Sequence, residues 1–313
     1  MLHQNRSNNT KGIVCLIGAI VFLTISDSVI KWLSSSLPLH EIMLVRALGA
    51  LVFLFMLIPF EGGIQTLKTR RPLLHLLRGG MLVLANMFFF TGLAAMPLAE
   101  TVALFFTAPL FICLLSKPVL GERVGLTRWL AILIGLIGVI VMVRPGSAVF
   151  NLVSLLPIMA ALSYAAMTMM TRKLGMRDSA GALTFYIQIA FIAVSAVVGL
   201  AIGDGRLNVY DDPSMNFLLR EWRWPDQTQF ELLLLCGLMT TLGGYLLSQA
   251  YRLGEAAAVA PFEYSSMPLA LVLGFYLWGD WPDLIAFAGS SLIILGGLLV
   301  VFFEHQSVSQ PPR

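Results

Sequence analysis

Apolar residues run along this chain in long blocks separated by short polar connections. Ten such windows can be drawn, at 12–31, 40–60, 73–95, 99–118, 126–145, 154–172, 180–202, 228–250, 256–278 and 284–303. A helix crossing a hydrocarbon core about 30 Å thick needs about 20 apolar residues, and every block is of that order. Barrel strands would span about ten residues and alternate apolar with polar positions, whereas these runs are long and continuous. Lipid offers exposed backbone no hydrogen-bonding partner, so the blocks are predicted to be helices. The pattern predicts an all-α polytopic membrane protein with ten transmembrane helices.

Composition agrees with the pattern. Of the 313 residues 58% are hydrophobic and 12% charged, against about 25% charged in soluble domains, and the mean hydropathy is +0.85. No hydrophilic stretch exceeds about 25 residues, too short for a separate soluble domain of roughly 50 residues or more. The net charge of +3 would suggest nucleic acid in a soluble chain, but here it follows from the bias of Lys and Arg toward cytoplasmic connections. With a cytoplasmic N-terminus that side receives Arg6, Lys11, Lys68, Arg70, Arg71, Arg78, Lys117, Arg123, Arg128, Arg172, Lys173, Arg177, Arg252 and Arg313. The opposite side receives Lys31, Arg144, Arg206, Arg220 and Arg223, and Arg46 lies inside a window. Fourteen against five predicts both termini inside and an even number of spans. A membrane with a cytoplasmic face, crossed many times, is expected.

The two halves repeat each other. Leu120-Gly121-Glu122 after the fourth window matches Trp278-Gly279-Asp280 after the ninth, and Gly138-Val139-Ile140 matches Gly296-Gly297-Leu298, both 158 residues apart. Pro109 and Pro268 correspond within one residue. Two repeats are thus expected, 12–145 with spans 1–5 and 154–303 with spans 6–10. Five spans is an odd number, so the copies must be inverted relative to each other, an arrangement that lets two halves exchange roles and expose a centre to either side. An N-terminal signal peptide, suggested by Arg6, Lys11 and the run to Ser26, is rejected because its removal would break this repeat.

These residues resemble a known family. Glu41 to Leu48 (EIMLVRAL), Gly92 to Phe111 (GLAAMPLAETVALFFTAPLF), Leu120 to Arg123 (LGER) and Tyr251 to Asp283 (YRLGEAAAVAPFEYSSMPLALVLGFYLWGDWPD) look like the ten-span EamA-type carriers of the drug/metabolite transporter superfamily. Asp280 departs from the pattern, since the turn more often has Glu, as at Glu122. The resemblance implies a bacterial inner-membrane location and transport of a small organic metabolite: an amino-acid derivative, an S-adenosylmethionine-like or vitamin-like solute, or a drug. Arg71 to Gly79 (RPLLHLLRG) with Ala260 to Tyr264 (APFEY) leans toward the S-adenosylmethionine-like and vitamin-uptake members.

Ionisable groups deep in a window cost about 2.5 to 3.5 kcal/mol on insertion scales and need a partner, a wet cavity or a function. Glu263 and Arg46 sit deepest, seven and six residues into their windows. Glu263 lies between Pro261 and Pro268, which remove backbone donors where a helix borders a cavity or packed neighbours. It is a candidate proton carrier or cation contact, the alternative being a structural carboxylate bonded to a Tyr or Ser. Asp27 and Lys31 are four apart on one helical face, and with Glu41 and Arg46 they are expected to cluster at one mouth, as a gate or as a mutually satisfied ion pair. In the resembled family the first, third, fourth, sixth, eighth and ninth helices surround the central cavity. That implies further substrate contacts at Asn86, Phe90, Phe106, Thr107, Tyr164, Thr168, Tyr245, Gln249 and Tyr264, with packed-core or lipid-facing roles as the alternative. Gly135, Gly138, Gly289, Gly296 and Gly297 are read as close helix contacts, and Trp222 and Trp224 as interfacial aromatics.

Several chemistries have no residues to carry them. There is no phosphate-cradling G-x-x-x-x-G-K-[ST] loop, no H-E-x-x-H and no G-x-S-x-G, and His3, His40, His75 and His305 are scattered. Cys15, Cys113 and Cys236 fall in apolar windows without metal-ligand spacing. No catalytic residue, metal or cofactor is expected, and an enzyme is not. The expected partners are a small-molecule substrate and the lipid bilayer, with no nucleic acid; a homodimer is left open. The leading function is secondary transport or facilitated diffusion by alternating access, the alternative a non-transporting receptor or assembly scaffold.

Overall fold

The structure is a computed structural model that describes residues 2–95, 98–122, 125–143, 153, 155–175, 178–209, 213–279, 284–285, 287–289, 291–292 and 295–296. Arg123, Arg144, Arg177, Arg313, Asp280, Gly297 and Leu298 lie outside them, as does much of the tenth window. Among the described residues there is no strand. The elements are α1 Leu2–Leu33, α2 Leu39–Leu57, α3 Pro72–Ala95, α4 Leu98–Phe105, α5 Ala108–Leu120, α6 Leu126–Val143, α7 Leu155–Gly175, α8 Ala180–Ile202, α9 Pro213–Leu219, α10 Gln227–Leu253, α11 Ala256–Val259 and α12 Ser266–Trp278. Six described segments, beginning at Asn8, Leu39, Pro72, Ala180, Gln227 and Ala256, are long and apolar enough to cross a membrane. The described residues of the tenth window are helical. The chain is a multi-pass membrane protein of helices.

Local chemistry sets the helix ends. Ser179 precedes α8 and its hydroxyl accepts from the Ala182 amide at 2.9 Å. Asp226 and Gln229 form a reciprocal capping box at the start of α10, satisfying amides that have no partner within the helix. Gly121 after α5 and Gly279 after α12 end their helices in the left-handed conformation, at φ 71° and 73°, which a residue without a Cβ adopts at no steric cost. These are the two glycines that the sequence pairs at a spacing of 158.

The windows at 99–118 and 256–278, expected as single helices, are each interrupted. The first breaks at Phe106 and Thr107, with Pro109 in the first turn of α5. The second passes through a 3-10 stretch, Ala260–Ser265, with Pro261 in its first turn. Proline lacks the amide that would continue the ladder, and a tighter 3-10 turn re-aims the side chains that follow. The breaks bring Phe106 and Glu263 to the centre of the bundle.

Around that centre α1 lies along α10, α3 along α7 and α8, α2 along α8 and α10, and α5 along α7. One apolar core, with Ile30, Leu33, Ile42, Phe191 and Leu233, fills the bundle near the C-terminal end of α1. A second, with Leu16, Ile112, Met169, Tyr251 and Val259, fills it nearer the α1 N-terminal end. The outer faces remain apolar, with Val52, Phe55, Leu130, Val197 and Leu200 exposed, as a lipid surrounding demands. Arg78 corrects the charge count: it is fully buried within α3, so it is not a loop charge.

Candidate functional site

Between the two cores lies a cavity of about 260 Å³ lined from α1, α2, α3, α4, α7, α8, α10, the 3-10 stretch and α12. Eight of the thirteen residues singled out from the sequence line it: Asp27, Lys31, Arg46, Asn86, Phe90, Phe106, Tyr164 and Glu263. Its middle is aromatic. Phe89 meets Phe90 and Phe105 with ring centroids 5.3 and 5.2 Å apart, and Phe105 meets Tyr164 at 5.5 Å. This path of rings, suited to an apolar or aromatic solute body, leads to a carboxylate.

That carboxylate is Glu263. Tyr164 on α7 donates to its Oε1 at 3.0 Å, and Tyr251 on α10 donates to the same oxygen. Both hydroxyls converge on Oε1, and among the described residues no side chain donates to Oε2. Three separate elements thus meet at one group, which is buried yet lines the cavity. The arrangement can hold or release a proton, or receive a cationic group of a solute.

The cavity is also lined by Arg78 and Gln188, which the sequence does not single out as site residues, together with Arg46 and Asp27, which it does. Arg78 on α3 donates from Nε to Thr171 Oγ1 and from Nη1 to the Leu183 carbonyl, each at 2.8 Å. Gln188 on α8 is buried, and its Oε1 has no hydrogen-bond partner among the described residues. Thr184 and Gln188 are four apart, as are Tyr164 and Thr168, so the spacing rule used for other windows marks this pair too. Arg46 on α2 lies over the Phe191 ring, 5.0 Å from its centroid, and interacts electrostatically with Asp27. Asp27 is exposed although it lies inside the bundle, because the surface it presents is cavity wall.

Five of the residues singled out lie elsewhere. Tyr264 is buried with its hydroxyl donating to the Ile132 carbonyl at 3.4 Å, and its ring covers Gly135, where a Cβ would lie 2.5 Å from Cδ2. Thr107 bonds back to the Leu104 carbonyl at 2.8 Å. Thr168 is fully buried beside the cavity rather than on it. Tyr245 donates to Glu61 Oε1 at 3.3 Å, and Gln249 bridges Tyr245 and Arg252.

Each end of the bundle has its own bonded network. At the α1 N-terminal end, Glu122 accepts from the Ala256 and Ala257 amides at 3.2 Å each and from Arg172 Nε at 3.4 Å. Asn9 Oδ1 accepts from the Glu255 amide at 2.9 Å. At the other end Glu41, expected in the charge cluster at the mouth, accepts from the Arg223 amide at 3.2 Å and does not line the cavity. Arg220 donates to the Ser34 carbonyl at 3.2 Å; burial, and then the neighbouring Arg223 charge, lower its guanidinium below the ordinary value. Trp222 stacks on His40 at 5.8 Å, so the 203–227 connection is tied to the α1–α2 turn.

Apolar helices packed around a central cavity with buried charges are the architecture a membrane transporter requires. The chain belongs to the EamA-like transporter family, which matches residues 10–144 and again residues 151–302. Membership bears out the resemblance seen in the motifs and places the chain among transporters rather than enzymes. It is 26% identical to an S-adenosylmethionine uptake transporter of Rickettsia prowazekii, over 95% of each chain. It is 28% identical to a riboflavin transporter of Vibrio cholerae, over 94% of each chain, and 27% identical to a pseudopaline exporter of Pseudomonas aeruginosa, over 91% of this chain and 93% of the other. A solved crystal structure shares the fold with a TM-score of 0.75 at 18% identity, covering 97% of this chain and 100% of its own.

Proposed function

We propose that this protein is a secondary transporter or facilitator of the bacterial inner membrane that moves a small organic metabolite through the central cavity by alternating access. The observation that carries the reading is Glu263, a carboxylate held by Tyr164 and Tyr251 in an interrupted helix and facing that cavity. Intramembrane ionisable groups of this kind mark solute or ion pathways. Asp27, Lys31, Arg46, Asn86, Phe90, Phe106 and Tyr164 complete the working site.

The domain reading is two inverted five-span repeats, 12–145 and 154–303. It is supported by the double family match, by the paired glycine turns and by interruptions in both the fourth and ninth windows. Moving Arg78 out of the loop count leaves thirteen cations against five, which still favours cytoplasmic termini. On that orientation the Glu122 network closes the cytoplasmic end, and breaking it is the event that opens the cavity inward. The solutes named for relatives, S-adenosylmethionine, riboflavin and pseudopaline, set the range of size and polarity considered.

Reconstitution tests this directly. Proteoliposomes incubated with a bacterial metabolite extract should accumulate one or more small metabolites that protein-free liposomes do not, as read by mass spectrometry of the lumen. A lumen indistinguishable from the protein-free control would favour a receptor or scaffold.

A further inference from the structure

We propose that Arg46 and Gln188 form a subsite that receives a carboxylate of the transported solute. This rests on the transport reading above and adds the chemical class of what is carried. Arg46 is 4% exposed and Gln188 1%, and both line the cavity. The Arg46 guanidinium lies over the Phe191 ring at 5.0 Å, and Phe191 follows Gln188 by three residues on one face of α8. A cation held over a ring face is attracted to it without using its N–H groups as hydrogen-bond donors. Arg46 Nε has no hydrogen-bond partner among the described residues, and neither has Gln188 Oε1. Buried polar atoms left unmatched are costly, and two side chains that line one cavity each carry one, which fits a ligand that supplies the missing partners.

The chemistry narrows further. A guanidinium presents parallel N–H groups that suit a carboxylate or a phosphate. Asp27 lines the same cavity and sits within the electrostatic reach of Arg46, so a singly charged carboxylate meets less like-charge repulsion there than a phosphate monoester carrying up to about two negative charges. Asp27 interacts with Arg46 electrostatically, but no hydrogen bond joins them among the described residues, so the Arg46 donors stay free. Gln188 Oε1 is an acceptor and takes an N–H or O–H beside the carboxylate. An amino or hydroxy carboxylate fits best.

The test uses the full chain in proteoliposomes supplied with a metabolite extract. Solutes that accumulate are expected to carry a carboxylate. For the one that accumulates most, methyl esterification should lower wild-type uptake about tenfold, the loss of one charge-assisted interaction. Arg46→Gln should lower uptake of the free acid by a similar factor and transport acid and ester alike. Arg46→Lys should keep the preference for the acid at reduced uptake, and Gln188→Leu should weaken uptake of the acid. Accumulated solutes lacking a carboxylate, or equal wild-type transport of acid and ester, would overturn the subsite and leave transport standing. A lumen with no accumulated solute would remove both. If Arg46→Gln fails to fold, Gln188→Leu takes its place, and unchanged uptake of the acid in that variant would overturn the subsite.

Discussion

Glu263 illustrates how a residue's place and its chemistry are decided separately. Its depth in the ninth window marks it as costly to insert, but which groups share that cost is set by α7 and α10, through Tyr164 and Tyr251. If its proton is exchanged during the cycle, Glu263→Gln keeps an acceptor oxygen of the same size without titrating. The variant is expected to fold and to exchange labelled solute at equal pH on both sides, while net uptake loses its response to a pH gradient in proteoliposomes. Exchange that falls together with net flux would assign Glu263 to contact with the solute instead. Arg46 and Gln188 show the converse case. Arg46 was legible from its depth, whereas Gln188 is a single amide in an apolar helix, and only the packing of α2 on α8 brings both to one cavity.

At the scale of elements, the interruptions in the fourth and ninth windows do what unbroken helices cannot, turning side chains out of the helical register into the centre. Pro109 and Pro261 announce them, because a proline in an apolar run frees a carbonyl. The start of α11 is the other sensitive element, since its first amides rest on Glu122 from a connection far away in sequence. Losing such a cap costs about 1 kcal/mol, roughly a fivefold change in an opening equilibrium. Ala257 is fully buried, so Ala257→Cys should react slowly with a membrane-impermeant maleimide applied from the side of the Glu122 network. Adding Glu122→Ala should raise that rate about fivefold. An unchanged rate would show that apolar packing around Val259 and Ile112 closes this end without the carboxylate.

For the whole molecule the testable claim is orientation. Reporter fusions after Arg71, Arg123 and Arg177 should report the cytoplasm, and fusions within 211–223 the outside; a cytoplasmic signal from 211–223 would overturn both the topology and the inverted repeat. The window at 180–202 coincides with α8, and those at 40–60, 73–95 and 126–145 match their helices to within three residues at either end. The length of an apolar run is a one-dimensional property, and crossing a bilayer requires nothing more. Family membership was legible for a related reason, since turns such as LGER are local and repeat in order. The face that each helix turns inward was not legible in the same way. In a soluble protein alternation of polar and apolar positions reveals the buried face, but here lipid and core are both apolar, so the pattern is silent about rotation. Tyr164 and Thr168 share a spacing, yet only Tyr164 reaches the cavity; Tyr245 and Gln249 turn to Glu61 and Arg252; Tyr264 packs on α6 while Tyr251, past the end of its window, holds Glu263. The sequence by itself determined the class, the spans that carry it and which ionisable groups stand in them. Tertiary packing alone decided which of those groups face one another, because helix rotation in an apolar surrounding is set by contacts between helices and not by hydrophobicity.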